Sequence, residues 1–212
     1  MLVVFDWDGT LVNSTAKIVL AMQQAARNES VEVLSDRPIQ QIIGLGLPEA
    51  INTLYPNSTE HECFRMQQAY KEAFIAIDSA EACDLFKGVE ACLAELESRQ
   101  YQIAVATGKS RAGLDRMLKT YGWEHRFHAT RCADETASKP HPKMLHELSV
   151  ALGCPTDNMF MIGDTTFDLE MARNASVKSV GVSYGAHSVA QLEEFAPVAI
   201  VDCLKELPKL LG

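Results

Sequence analysis

Two aspartates, Asp6 and Asp8, stand one residue apart at the end of an early apolar run, within FDWDGTLVNST at residues 5–15. While the chain stays extended, side chains two residues apart lean to one face, and Gly9 then lets the backbone turn sharply. Carboxylates this close repel each other unless a cation joins them or one takes a proton. That pairing suits a hard divalent metal and acid–base chemistry.

Three later segments carry residues of matching character. VATGKS (105–110) offers the Thr107 hydroxyl and free amide donors from Gly108 onward, which suit a phosphate oxygen. SKPHP (138–142) presents one lysine, Lys139, in a loop stiffened by prolines. GDTTFD (163–168) adds two more carboxylates, Asp164 and Asp168. Each fragment alone has a plain structural explanation: Asp-Gly is a common turn pair, Gly-Asp-Thr-Thr-Phe-Asp suits an N-cap opening a helix, Lys139 suits a solvated loop and Thr107 a strand end. Their conjunction favours chemistry, with four acids, one cation and a hydroxyl facing one crevice.

The elements that must position them are legible as alternating patterns. Apolar runs at 2–6, 101–107, 126–130, 158–164, 177–183 and 198–202 predict strands. Amphipathic stretches at 88–99, 110–121 and 141–152 predict helices, the last two ending at Gly122 and Gly153 where a C-cap belongs. Continuous apolar strands separated by helices predict an α/β fold with a doubly wound parallel sheet covered on both faces. In such sheets ligands gather outside the carboxyl ends of the strands, where the four segments fall. Almost a hundred residues separate the first two strands, far more than one crossover needs, so an insert is expected there. It reads as helices at 15–27, after Asp36, after Pro48 and at 59–77. The division is therefore 1–14 and 84–212 as an α/β core and 15–83 as a helical cap, with hinges near 11–14 and 82–87.

A chain of 212 residues with 47% hydrophobic and 22% charged content is long enough to bury its own core. The net charge of -9 argues against nucleic acid or an anionic membrane as partner. Neither a signal peptide nor a membrane span is evident, and the six cysteines form no C-x-x-C pair, so a cytoplasmic protein with reduced thiols is expected. Cys132 and Cys154 read as buried small hydrophobes, and His141 as exposed. Lys17, Arg37, Arg65 and Lys71 are candidates for reading the far end of a substrate, although basic residues on helices are usually solvated. The segment Ile43 to Leu47, with Gly44 and Gly46, suits either a loop dipping toward the site or a plain inter-helix turn.

DWDGTLVNS, VATGKS, SKPHP and GDTTFD, in that order, resemble the four motifs of the haloacid dehalogenase-like hydrolase superfamily. The resemblance is to its phosphoglycolate phosphatase-like branch, which carries a helical cap where this chain has its insert. It implies a Mg²⁺-dependent phosphatase of a small soluble phosphomonoester, phosphoglycolate first, working through an aspartyl-phosphate. Asp6 would be the nucleophile and Asp8 the general acid and base. Mg²⁺ would be held by the Asp6 carboxylate, the Asp8 backbone carbonyl and Asp164, with Asp168 in a supporting or alternative place. Thr107 and Gly108 would bind phosphoryl oxygens, and Lys139 would offset charge on nucleophile and phosphoryl group. Asn13 departs from the aspartate common at that position. Two rivals remain: a phosphotransferase of the sugar-phosphate mutase kind, and a catalytically idle phosphate-binding module. A monomer or weak dimer is expected.

Overall fold

The computed structural model describes residues 1–80 and 82–212. Six strands, β1 (Leu2–Phe5), β2 (Gln102–Thr107), β3 (Ala129–Cys132), β4 (Met159–Gly163), β5 (Lys178–Val182) and β6 (Ala199–Val201), form one sheet in the order β3-β2-β1-β4-β5-β6. Every neighbouring pair is parallel. Chain order grows outward from β1 to one edge and then from β4 to the other. The switch between those two strands opens a crevice beyond their carboxyl ends.

Alternation along the central strands separates two apolar layers. Val3 and Phe5 of β1, Ile103 and Val105 of β2, and Phe160 and Ile162 of β4 point to one face. Helices α5 (Val89–Ser98) and α6 (Arg111–Tyr121) cover that face through Leu93, Leu96, Leu114 and Met117. Leu2, Val4, Ala104, Ala106, Met159 and Met161 point the other way, against α7 (Lys143–Leu152) and α8 (Thr166–Asn174). Two short helices, α9 (Val189–Glu193) and α10 (Leu207–Leu210), complete the layers.

The expected third strand at 126–130 lies at 129–132 instead. β3 is an edge strand whose first three residues are only half buried, so the more apolar Phe127 just before it misplaces the pattern. The insert is helical as its spacing predicts: α1 (Thr15–Asn28), α2 (Asp36–Gln40), α3 (Leu47–Leu54) and α4 (Glu60–Ala80). Val19, Met22, Ile39, Ile51, Met66 and their neighbours form a separate apolar cluster among these helices. The two strands of chain leading in and out run side by side: the Asn13 amide donates to the Asp84 carbonyl (2.9 Å) and the Phe86 amide to the Leu11 carbonyl (3.0 Å). No helix among the described residues is long and apolar enough to cross a membrane.

Candidate active site

β1 hands the chain to Asp6, whose amide donates to the Ile162 carbonyl of β4 at 2.9 Å and so fixes it at the switch point. Trp7, fully buried, turns into an aromatic cluster with Tyr121, Trp123 and Phe127. Asp6 and Asp8 on either side of it both line the crevice, as their two-residue spacing predicts.

Three distant segments converge on Asp6. Its carboxylate and those of Asp164 and Asp168, all buried, offer oxygens within 4.8 Å of one another. Lys139, 1% exposed, places Nζ 2.5 Å from Asp6 Oδ1 and 2.7 Å from Asp168 Oδ1. Asp168 Oδ2 accepts from the Thr165 hydroxyl (2.7 Å) and amide (3.1 Å), which also caps α8. Asp164 is held by the Thr10 hydroxyl on Oδ1 (2.9 Å) and the Ala186 amide on Oδ2 (2.8 Å). Two glycines make room for it: a Cβ on Gly9 (φ +83) or on Gly185 would lie 2.1 Å from Asp164 atoms. The Lys139–Pro140 peptide is cis.

Electrostatics here are dominated by crowding. Burial lifts Asp6 well above the usual carboxylate range; Lys139 opposes this, while Asp168 and Asp164 add to it. Asp164 is pushed up to about 7, by burial first and then by Asp168. Burial works against the Lys139 ammonium, yet Asp168 and Asp6 outweigh it and hold the proton more firmly than in water. A further cation would relieve this crowding. Asp6 Oδ2 is buried with no hydrogen-bond partner, and a hard divalent ion with oxygen preference fits the donor set of Asp6 and Asp164. Asp168 Oδ1 is likewise without a hydrogen-bond partner although it lies 2.7 Å from Lys139 Nζ, and Oδ2 accepts from Thr165, so Asp168 stands beside both the lysine and the other two carboxylates.

The Asp8 carboxylate stands outside that trio. The Ser14 hydroxyl donates to its Oδ1 at 2.6 Å, and Lys109 Nζ bonds both oxygens at 2.9 and 3.0 Å. The expected single cation is thus corrected to two, one for each of the neighbouring aspartates. Lys109 was visible in sequence only as a member of the Thr-Gly-Lys-Ser loop, and its partner lies 101 residues away. β2 ends beside β1 on Thr107, whose hydroxyl accepts from the Lys109 amide at 3.2 Å, while Gly108 lines the crevice.

The insert roofs this crevice. Gly44 and Leu45 dip onto the core so closely that a Cβ on Gly108 would lie 2.4 Å from the Leu45 carbonyl oxygen. The Gly46 amide also donates to the Ser138 hydroxyl at 2.8 Å, so of the two readings for residues 43–47 the dipping loop holds. Between roof and floor is a cavity of ≈ 480 Å³, walled by Ile18, Met22, Ile43, Tyr70 and Phe74 of the insert. Of the four basic candidates on the insert, Lys71 lines the cavity, whereas Lys17 pairs with Asp78, Arg65 pairs with Glu29, and Arg37 is exposed on α2 outside the lining. Arg116 of α6, which sequence reasoning passed over, lines it too and lies over the Phe74 ring at 5.8 Å. His141 and Asn13 are exposed and outside it, while Cys132 and Cys154 are buried.

A sequence profile described as haloacid dehalogenase-like hydrolase matches residues 3–182. The chain is 36% identical to "Probable phosphatase IndB" of Dickeya dadantii, over 97% of this chain and 91% of that protein. It is 25% identical to "Phosphoglycolate phosphatase" of Nitrosococcus oceani, over 100% of this chain and 96% of that one. A hydrolase from Pseudomonas syringae superposes with a TM-score of 0.89 at 21% identity, covering 98% of this chain and 95% of the other, and shares its fold.

Proposed function

The chain belongs to the haloacid dehalogenase-like hydrolase family, and we propose that it is a Mg²⁺-dependent phosphatase that hydrolyses a small soluble phosphomonoester through a phosphorylated Asp6. The observation that carries this reading is the convergence of Lys139 and Asp164 on Asp6, which leaves one Asp6 oxygen pinned and the other without a partner. Phosphoglycolate, named for the Nitrosococcus relative, is the reference ester of the class.

Asp6 and Asp164, with the Asp8 backbone carbonyl, would hold Mg²⁺, which supplies charge neutralisation and orientation for a dianionic phosphoryl group. The remaining steps belong to the chain. Lys139 holds Asp6 Oδ1 in a fixed rotamer and lowers the repulsion between carboxylate and phosphoryl oxygens. Thr107 and the Gly108 amide take phosphoryl oxygens from the neighbouring strand end. Asp6 attacks phosphorus, the bond to the ester oxygen breaks, and Asp8 gives that oxygen its proton. Water then attacks the phosphorus while Asp8 takes the water's proton, the bond to Asp6 breaks, and inorganic phosphate leaves. Residues 15–83 act as the cap over this chemistry, opening at 11–14 and 82–87 to release product. The magnesium requirement, the covalent route and a cytoplasmic setting all belong to this proposal.

The test is phosphate release from a panel of phosphomonoesters with and without Mg²⁺, for wild type and Asp6→Asn. Turnover that needs Mg²⁺ and vanishes in the variant supports the hydrolase. Interconversion of sugar phosphates without release would favour the mutase, and no turnover at all the idle module.

A further inference from the structure

The chamber is both larger and less charged than a two-carbon acid needs. Its ≈ 480 Å³ lies within the ~300–1,000 Å³ typical of sites for drug-sized ligands. At ~30 Å³ for each water-sized unit, about sixteen fit, so beyond the four heavy atoms of a phosphoryl group there is room for on the order of ten more. The wall that a leaving group must face comes from the insert and is apolar: Ile18 and Met22 of α1, Ile43 before the dipping loop, and Tyr70 and Phe74 of α4. Phe74 has two cations over its ring, Lys109 Nζ 4.7 Å from the centroid and the Arg116 guanidinium at 5.8 Å.

The cations that reach the chamber from the core are already engaged by carboxylates. Lys109 is held by Asp8 and Arg116 by Asp78 at 3.5 Å, while Lys139, outside the lining, is held by Asp6 and Asp168. Lys71, Glu49 and Asp134 all line the chamber from exposed positions, where water screens their charges. A glycolate carboxylate therefore meets an apolar wall, at a desolvation cost that no unpaired buried cation offsets.

We infer that the substrate is a phosphomonoester of an uncharged, ring-sized alcohol, whose ring packs against Ile18, Met22, Ile43 and Tyr70 while its phosphoryl group meets Asp6. The inference rests on the phosphatase reading above and is separable from it by experiment. Phosphate release with Mg²⁺ is measured for benzyl phosphate, ethyl phosphate and 2-phosphoglycolate, all alkyl esters, so that size and charge vary while the broken bond keeps its type. The expected kcat/KM order is benzyl above ethyl above phosphoglycolate, with benzyl phosphate ahead of ethyl phosphate by about 10- to 100-fold, as burial of a ring requires. Lys71→Gln is assayed on the same three esters. Ethyl phosphate equal to or better than benzyl phosphate would overturn the size argument. Phosphoglycolate equal to or better than ethyl phosphate, or a tenfold loss on phosphoglycolate alone in Lys71→Gln, would overturn the charge argument. In each of these results the phosphatase survives, whereas no release from any ester would remove both.

Discussion

Replacing Lys139 with methionine removes a buried cation while keeping the volume of its stem. In the native protein its Nζ lies 2.5 Å from Asp6 and 2.7 Å from Asp168, and the third carboxylate, Asp164, is within the same 4.8 Å cluster. Breaking a buried pair by deleting one partner typically destabilises by ~3–5 kcal/mol, because the other charge is left uncompensated. Here two carboxylates lose their counter-ion at once, so the upper part of that range is expected at pH 8 in a chelating buffer. For a chain of this length the corresponding drop in Tm is about 8–20 °C. Urea unfolding followed by circular dichroism measures the loss directly. At pH 5 the loss should shrink, since the crowded carboxylates can take a proton and cease to need the cation. A loss below about 1 kcal/mol at pH 8, or one equally large at pH 5, would refute the claim that this lysine neutralises the cluster.

Three further outcomes follow from the same geometry. Lys109→Met removes both hydrogen bonds to the Asp8 oxygens; kcat should fall by about 10²-fold, within the range general acid–base groups contribute, and because this pair too is largely buried Tm should fall as well, by less than in Lys139→Met. In Asp164 the folded carboxyl titrates near 7 against an ordinary value of 3.8, so between those pH values the folded state holds a proton the unfolded state has lost. The stability that Asp164 contributes must therefore fall as pH rises from 4 to 7 and level off above, and the Tm difference between wild type and Asp164→Asn in chelator should trace that curve, with Mg²⁺ flattening it. Gly9→Ala forces a Cβ to within 2.1 Å of Asp164 Oδ2 at a backbone φ of +83; a loss of about 1–3 kcal/mol by chemical denaturation is expected, together with weakened Mg²⁺ dependence.

The parts of this molecule that could be read from its sequence are those encoded locally. Continuous apolar runs mark β1, β2 and β4 because these strands are buried on both faces. Glycine at a left-handed C-cap marks the ends of α6 and α7, where Gly122 and Gly153 have φ of +67 and +61. Edge position blurs β3, since half-exposed residues do not repeat with a clean period. In the site, Asp6, Asp8 and Asp164 were legible as charged residues at strand ends, where charge is otherwise out of place, Asp168 as the second acid of the segment after β4, and Lys139 as a lysine in a proline-stiffened loop. Lys109 was not assigned its place because an ion pair across 101 residues leaves no local trace. The Ala186 amide on Asp164 is a backbone donor with no side-chain signal beyond the neighbouring Gly185. Arg116 looks like any solvated helix arginine until Phe74 and Asp78 of the insert are brought beside it.

The account turns on a bond between Asp6 and phosphorus. Rapid mixing with a turned-over ester and Mg²⁺, a quench with borohydride, and peptide mass mapping would report it, because an acyl-phosphate is reduced to an alcohol while an ordinary aspartate is not. The mapping should find homoserine at position 6, dependent on both ester and Mg²⁺. Reduction at another aspartate, or rapid turnover with position 6 unchanged at every quench time, would contradict it.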